Sequence, residues 1–231
     1  MKKTILYFLV FFIGISNCNS QEWFTSFDVA KRLALVQNKM LFAMWEESTE
    51  YPFQVMINDE KGNTIVSDMF EDEEVSKLIW EFFIPVKISE SLYNELYQNA
   101  VGRGISYLNA LNGDDVKIMD INGNILNLNW NSEMGFNLTK FIKKYALNTS
   151  FINQELIIYN SEKNLNSAFN LGAKYLDFAM YVDKNIKPEV LGLAKIYFDE
   201  SEAYMKEIDV SYKTAFLQKL ELLNKNHLML L

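Results

Sequence analysis

The chain has 231 residues, of which 49% are hydrophobic, 23% charged and 14% aromatic. Such a composition gives a folded chain with a sizeable core, and 3 Pro and 9 Gly exclude a long flexible linker. A net charge of −8 lacks the basic footprint that binding to nucleic acid or anionic lipid requires.

The N-terminus opens with Lys2 and Lys3, followed by an apolar run over residues 5–15. That run is too short to cross about 30 Å of hydrocarbon and fits the apolar part of a secretory signal over residues 1–20. Two processing routes are open. Cleavage after Ser20 places Cys18 and Ser20 at the small-residue positions, whereas Ile15-Ser16-Asn17-Cys18 loosely matches the site at which a lipoprotein is cleaved and lipidated on Cys18. Cys18 is the only cysteine. Either route therefore predicts an extracytoplasmic chain (periplasm or cell envelope) with no free thiol and no disulfide, touching a membrane only through a lipid on Cys18.

Residues 24–38 place Phe27, Ala30, Leu33, Ala34 and Val36 close to helical spacing, with Thr25 or Ser26 as the cap. Residues 40–45 read as a buried strand and 46–52 as a polar loop. Strand, turn and strand are expected over 53–69, with a short helix competing at 53–57. The acidic run 71–74 suits the N-terminus of a helix over 75–81. A strand with Pro85 follows at 82–88, then a helix at 91–100 and a loop at 101–104. Asn122-Gly123 closes a hairpin of strands 116–121 and 125–128, and a helix follows at 137–145. Beyond residue 150 strand patterns stop, and helical spacing recurs over 165–179, 190–204 and 212–223, with Pro188 in a first turn. The two similar pairs, Leu171-Gly172 and Leu193-Ala194, are too few for a repeat array. The apolar end, Leu228 to Leu231, belongs either to a truncated gene or to a last helix that packs against a partner. The organisation is thus a signal at 1–20, an α/β domain at 21–149 and a helical extension of about three helices at 150–231.

In order, residues 24–145 read helix, strand, loop, helix, strand, helix, hairpin, helix. The segments that carry a resemblance are Phe27-Asp28-Val29-Ala30-Lys31 entering Asn38 to Trp45, Phe70 to Val75 leading to Phe83 to Ile88, and Lys117 to Asn124. Over about half of its length the chain resembles the thioredoxin-like superfamily, especially exported bacterial members. That resemblance implies a three-layer α/β sandwich, with the helical segment as an extension. It also implies a Cys-x-x-Cys after the first core strand, where a helix N-terminus stabilises the thiolate, and a cis-proline before the strand beginning near Val116. Here Glu46-Glu47-Ser48-Thr49-Glu50-Tyr51-Pro52 follows Trp45, and Asn112-Gly113-Asp114-Asp115 precedes Val116. Both elements of thiol–disulfide exchange are missing, and fold alone licenses no activity.

Two functions follow. The first is a binding or scaffold role with no cofactor, in which Trp45, Glu46, Tyr51 and Asp114 line the groove that members of the superfamily use for extended polypeptide. The partner is then another envelope protein or peptide, and docking to a redox partner is a weaker variant. The alternative is an enzyme that works through the carboxylates Glu46, Glu47, Glu50, Asp114 and Asp115, or through a borrowed metal. The sole histidine, His227, lies too near the C-terminus to build a triad. Val101-Gly102-Arg103-Gly104 lacks the strand–turn–helix setting of a phosphate loop, and Asp120-Ile121-Asn122-Gly123-Asn124 reads as a turn, lacking the downstream Glu of a calcium loop. Sequons at Asn137 and Asn148 matter only in a eukaryotic secretory pathway.

Overall fold

The structure, a computed structural model, describes residues 22–59, 61–130, 135–205 and 221. Cys18, His227, Leu228 to Leu231 and, apart from Glu221, the third predicted helix at 212–223 lie outside them. The described residues form a mixed α/β fold of two small three-stranded sheets and eight α-helices.

Helix α1 (Phe27–Gln37) starts at Ser26, whose Oγ accepts from the Val29 N–H, and stops at Asn38 in the left-handed region. Strand β1 (Leu41–Trp45) follows. Residues 41–44 are fully buried, as expected of a strand covered on both faces. The hairpin β2 (Gln54–Asn58) and β3 (Thr64–Asp68) comes next, so the strand reading of 53–57 holds over the helical one. Helix α2 (Glu73–Phe82) is capped by Asp72, and its first turn carries Glu73 and Glu74 against the helix dipole. Strand β4 (Ile84–Ile88), helix α3 (Glu90–Ala100), helix α4 (Ile105–Asn112) and strand β5 (Lys117–Met119) then lead to β6 (Phe136–Asn137) and α5 (Leu138–Tyr145). The last three helices are α6 (Asn153–Ser161), α7 (Leu165–Phe178) and α8 (Lys187–Met205).

In the first sheet β1 lies between β4, parallel to it, and β5, antiparallel. Single bridges extend it at both sides, Phe24 parallel to Val86 and Ile125 antiparallel to Met119. The spatial order is therefore Phe24, β4, β1, β5, Ile125. The second sheet has the order β3, β2, β6. Phe141 on α5 joins the two sheets, with its ring 6.0 Å from Phe42 of β1 and 4.7 Å from Phe136 of β6.

One expectation needs correction, and two helices go beyond what the sequence pattern predicts. The hairpin at 116–128 shrinks to the three residues of β5 and one bridge. The buried Asn127 takes the place of a strand partner, accepting from the Ile118 N–H at 2.8 Å and donating to the Val116 carbonyl at 2.8 Å. Its side chain satisfies the backbone that a longer ladder would otherwise bond. The loop read at 101–104 leads straight into α4, which the sequence reading lacked. Helix α6 was also absent from that reading. Ile157 and Ile158 are exposed while only Leu156 and Tyr159 are buried, so its apolar residues show no clean helical stripe.

The helical segment shares its core with the sheets, because one buried cluster runs from Trp23 to Tyr197. Asn153 donates to the Leu35 carbonyl at 2.7 Å and to Asn38 Oδ1 at 2.8 Å. Lys144 of α5 pairs with the buried Glu189 of α8 at 2.7 Å. Helices α7 and α8 pack closely at Gly172, where an added Cβ would lie 2.9 Å from Phe198 Cδ1 and 3.1 Å from the Ala194 carbonyl oxygen. Alanine favours a helix interior by about 1 kcal/mol over glycine, but overpacking costs about 1–3 kcal/mol. Gly172→Ala is expected to lower the thermal midpoint by about 2–6 °C. A raised midpoint in the calorimeter would mean that the two helices have room to separate.

Candidate functional site

Strands β1 and β4 run parallel and end side by side at Trp45 and Ile88. The Glu46 N–H bonds the Ile88 carbonyl at 3.0 Å, which carries the pairing one step further. The chain then turns through a short 3₁₀ segment, Glu47–Glu50, closed by Thr49, whose Oγ1 donates to the Glu46 carbonyl at 2.7 Å. This turn meets the loop before β5, where Ser48 Oγ donates to Asp114 Oδ1 at 3.0 Å. Between them lies an open cleft of about 590 Å³.

Trp45 and Tyr93 give the cleft its apolar surface, with ring centroids 5.1 Å apart and edge to face. Both rings are anchored to the far wall. Trp45 Nε1 donates to the Leu111 carbonyl at 3.1 Å, and the Tyr93 hydroxyl donates to Asn112 Oδ1 at 2.9 Å. The rim carries five exposed carboxylates, Glu46, Glu47, Glu50, Glu90 and Asp114, and among the described residues no Lys or Arg lines it. The site thus offers an aromatic surface under a negative field, which favours an extended or cationic group over an anion.

Of the residues expected in the groove, Trp45, Glu46 and Asp114 line it. Tyr51 does not. The backbone is extended where the 3₁₀ segment ends, and Tyr51 is left 69% exposed outside the cleft. Asp115 is also absent from it and lines a neighbouring cavity with Lys117 and Trp130. No cis peptide occurs among the described residues, and none of them forms a group of three or more His, Cys, Asp or Glu able to hold a metal ion.

Lys117 supports this site and was not singled out in the sequence reading. Its side chain is buried on β5, with Nζ 5.3 Å from the Trp45 ring centre and donating to the Gly113 and Asp115 carbonyls at 2.5 and 3.0 Å. It therefore ties the 113–115 loop to the back of Trp45. Burial pushes its pKa down to about 8, against the pull of Asp115 and Asp114. The available signal was a lone cation in an otherwise buried strand.

A second buried polar centre lies at the turn after β5. Asp120 accepts from the Asn122 and Asn124 N–H groups at 2.8 and 3.0 Å and from Asn124 Nδ2 at 3.3 Å. The hydroxyls of Tyr197 and Tyr175 add bonds at 2.5 and 3.3 Å. Burial raises the carboxyl above its ordinary range, while the Tyr197 and Asn124 hydrogen bonds oppose the shift. The carboxylate faces inward to tyrosines, so the segment 120–124 is a structural turn, closed by Gly123 at φ +81°. Beside it Arg103 bonds Tyr107, Asn124 and Glu200, and the Tyr159 hydroxyl donates to Glu200.

Comparison with protein-family models, with characterised proteins and with solved structures finds no match to this chain.

The buried groups give two expectations. The Tyr197 hydroxyl also accepts from Asn122 Nδ2 and Asn124 Nδ2 at 2.8 and 2.9 Å. Tyr197→Phe strips all three bonds at once and is expected to cost about 3 kcal/mol in urea unfolding. A loss under about 0.5 kcal/mol, the scale of a neutral surface change, would show that the network carries no stability. For Lys117 the folded pKa is the lower one, so between about pH 8 and the ordinary value of 10.5 the unfolded state binds more protons. Stability of the native chain relative to Lys117→Met should then rise with pH over that window, by at most about 1.4 kcal/mol per pH unit. A difference that stays flat from pH 8 to 10 contradicts a desolvated amine at this position.

Proposed function

We propose that the chain is a redox-silent, thioredoxin-like module of the cell envelope that holds a polypeptide segment in the cleft between the end of β1 and the 112–115 loop. The strand order Phe24, β4, β1, β5, Ile125 supports the fold reading, with its parallel pairs on one side of β1 and antiparallel pairs on the other. The export reading rests on the N-terminal sequence, with Lys2, Lys3 and the apolar run ahead of Cys18. The observation that carries the function is the cleft itself, in which two anchored aromatic rings lie under five carboxylates, with no cation on the rim among the described residues. Aromatic surface that costs no ordering on binding is a good platform for an extended chain, and the acids select one that bears Lys or Arg.

Tryptophan fluorescence tests this, since Trp45 lies in the cleft. An unstructured Lys-rich peptide is expected to perturb the emission saturably, to bind more weakly as salt rises, and to bind at least about tenfold more weakly to the double variant Glu46→Lys, Asp114→Lys. A Glu-rich peptide of equal length should bind poorly. If the two peptides bind equally, or if the double variant binds the basic one as well as the native chain does, the cleft is not the site.

A further inference from the structure

The loop before β5 is shared by two cavities. Asn112 and Asp114 line the cleft, whereas Gly113 and Asp115 line a second cavity of about 350 Å³. The floor of that cavity is apolar, with Val116 and Ile125 buried and Ala110, Leu128 and Trp130 half-buried. Ser106, Asn109 and Asp115 are exposed and form its mouth. Lys117 lines it too and is 1% exposed. An ammonium has three protons to donate, and two of these go to the Gly113 and Asp115 carbonyls in the cavity wall. Among the described residues Lys117 forms no ion pair. Asp114 is engaged by Ser48 and Asp115 is exposed, so both act on Lys117 only through the field. A pKa of about 8 still leaves it charged at neutral pH. Buried charges are ordinarily paired, and this one is not. The same cavity wall holds a second group without a partner. Trp130 Nε1 is buried and reaches no acceptor among the described residues, although a buried indole N–H ordinarily finds one.

We infer that this cavity binds a small monocarboxylate with an apolar body, whose oxygens accept from the Lys117 ammonium and the Trp130 indole N–H. A cation without a counter-ion and a donor without an acceptor both call for an anionic oxygen, and a carboxylate supplies two. The apolar floor takes the rest of the ligand, and the volume lies near the lower end for small-molecule sites. A phosphate or a dicarboxylate fits less well. Its second charge would lie against Val116, Ile125 and Leu128 with no cation to meet it, or at the mouth beside the Asp115 carboxylate. The inference is independent of what the cleft binds.

Phenylacetate is the probe, titrated into the isotope-labelled processed chain and followed by NMR. The chain has four tryptophans, and Trp130→Phe identifies the Trp130 indole signal by its loss. Phenylacetate is expected to move that signal saturably, with a Kd of about 1 mM or tighter. Phenylacetamide has the same shape without the charge and should bind at least about tenfold more weakly. Trp130→Phe keeps an aromatic ring in place but removes the N–H. The backbone signals of residues 113–117 should then report binding about tenfold weaker, and Lys117→Met should abolish it. If Lys117→Met does not fold, the amide and Trp130→Phe still decide. An N-acetylated tripeptide ending in phenylalanine carries a similar carboxylate at the end of a chain and should bind more weakly than phenylacetate. A Trp130 signal unmoved at roughly 20 mM phenylacetate, equal binding of the amide, undiminished binding by Trp130→Phe, or tighter binding of the tripeptide would each overturn the inference. The last of these outcomes would give the site to the terminus of a polypeptide.

Discussion

A carboxyl group buried away from water has to find hydrogen-bond partners inside the fold. Asp120 meets that demand with groups from both parts of the chain. The turn supplies two backbone N–H groups and the Asn124 amide, and the helical segment supplies the hydroxyls of Tyr175 and Tyr197. Lifting the helices away would remove two of these five hydrogen bonds. The helices are built to deliver those hydroxyls. Tyr175 lies one turn beyond Gly172 on α7, and Tyr197 lies one turn beyond Ala194 on α8. Close approach at Gly172 therefore brings the two phenols into a stack 5.5 Å apart. The pair of helices is an integral clamp on the sheet, reinforced by Arg103–Glu200 at 3.0 Å and Lys144–Glu189 at 2.7 Å.

The clamp reaches the cleft through β5. Asp120 fixes the chain just after that strand, and Lys117 at its start ties down the loop before it. That loop presents Asp114 to Ser48 across the cleft. Trp45 is gripped from two sides, by the Leu111 carbonyl through its indole N–H and by the Lys117 ammonium over its ring. The cleft is therefore preformed, and a ligand need not order its walls. A lysine in this position does more than fill space. A methionine could pack against the indole, but it would leave the Gly113 and Asp115 carbonyls without a donor and the loop without its tether.

Local signals in the sequence were legible wherever the structure is locally determined. The helix capped at Ser26, the buried strand ending at Trp45, the acidic start of the helix after Asp72 and the hairpin around residues 58–63 each declare themselves through spacing, caps or turn residues. The misses share one cause, which is that a side chain's partner lies far away in the chain. Asp120 looks like an ordinary turn residue until the tyrosines 55 and 77 positions later are seen to donate to it. Asn127 looks like part of a strand until it replaces one. Tyr51 and Trp45 look alike as aromatic residues flanking an acidic loop. Only the extended backbone after the 3₁₀ segment separates the one in the cleft from the one in solvent. Helices α4 and α6 escaped because one is short and the other has Ile157 and Ile158 facing out, so burial does not imprint a stripe on either.

On the thioredoxin-like reading, the segment between β1 and α2 is where redox-active relatives carry a helix whose N-terminus stabilises a thiolate. Here that stretch holds a four-residue 3₁₀ segment and the β2–β3 hairpin. A hairpin has almost no net dipole, so this stretch offers no helix N-terminus of the kind that stabilises a thiolate. The walls of the cleft belong to the ends of β1 and β4, the 3₁₀ segment, α3 and the loop before β5, and residues 53–69 do not line it.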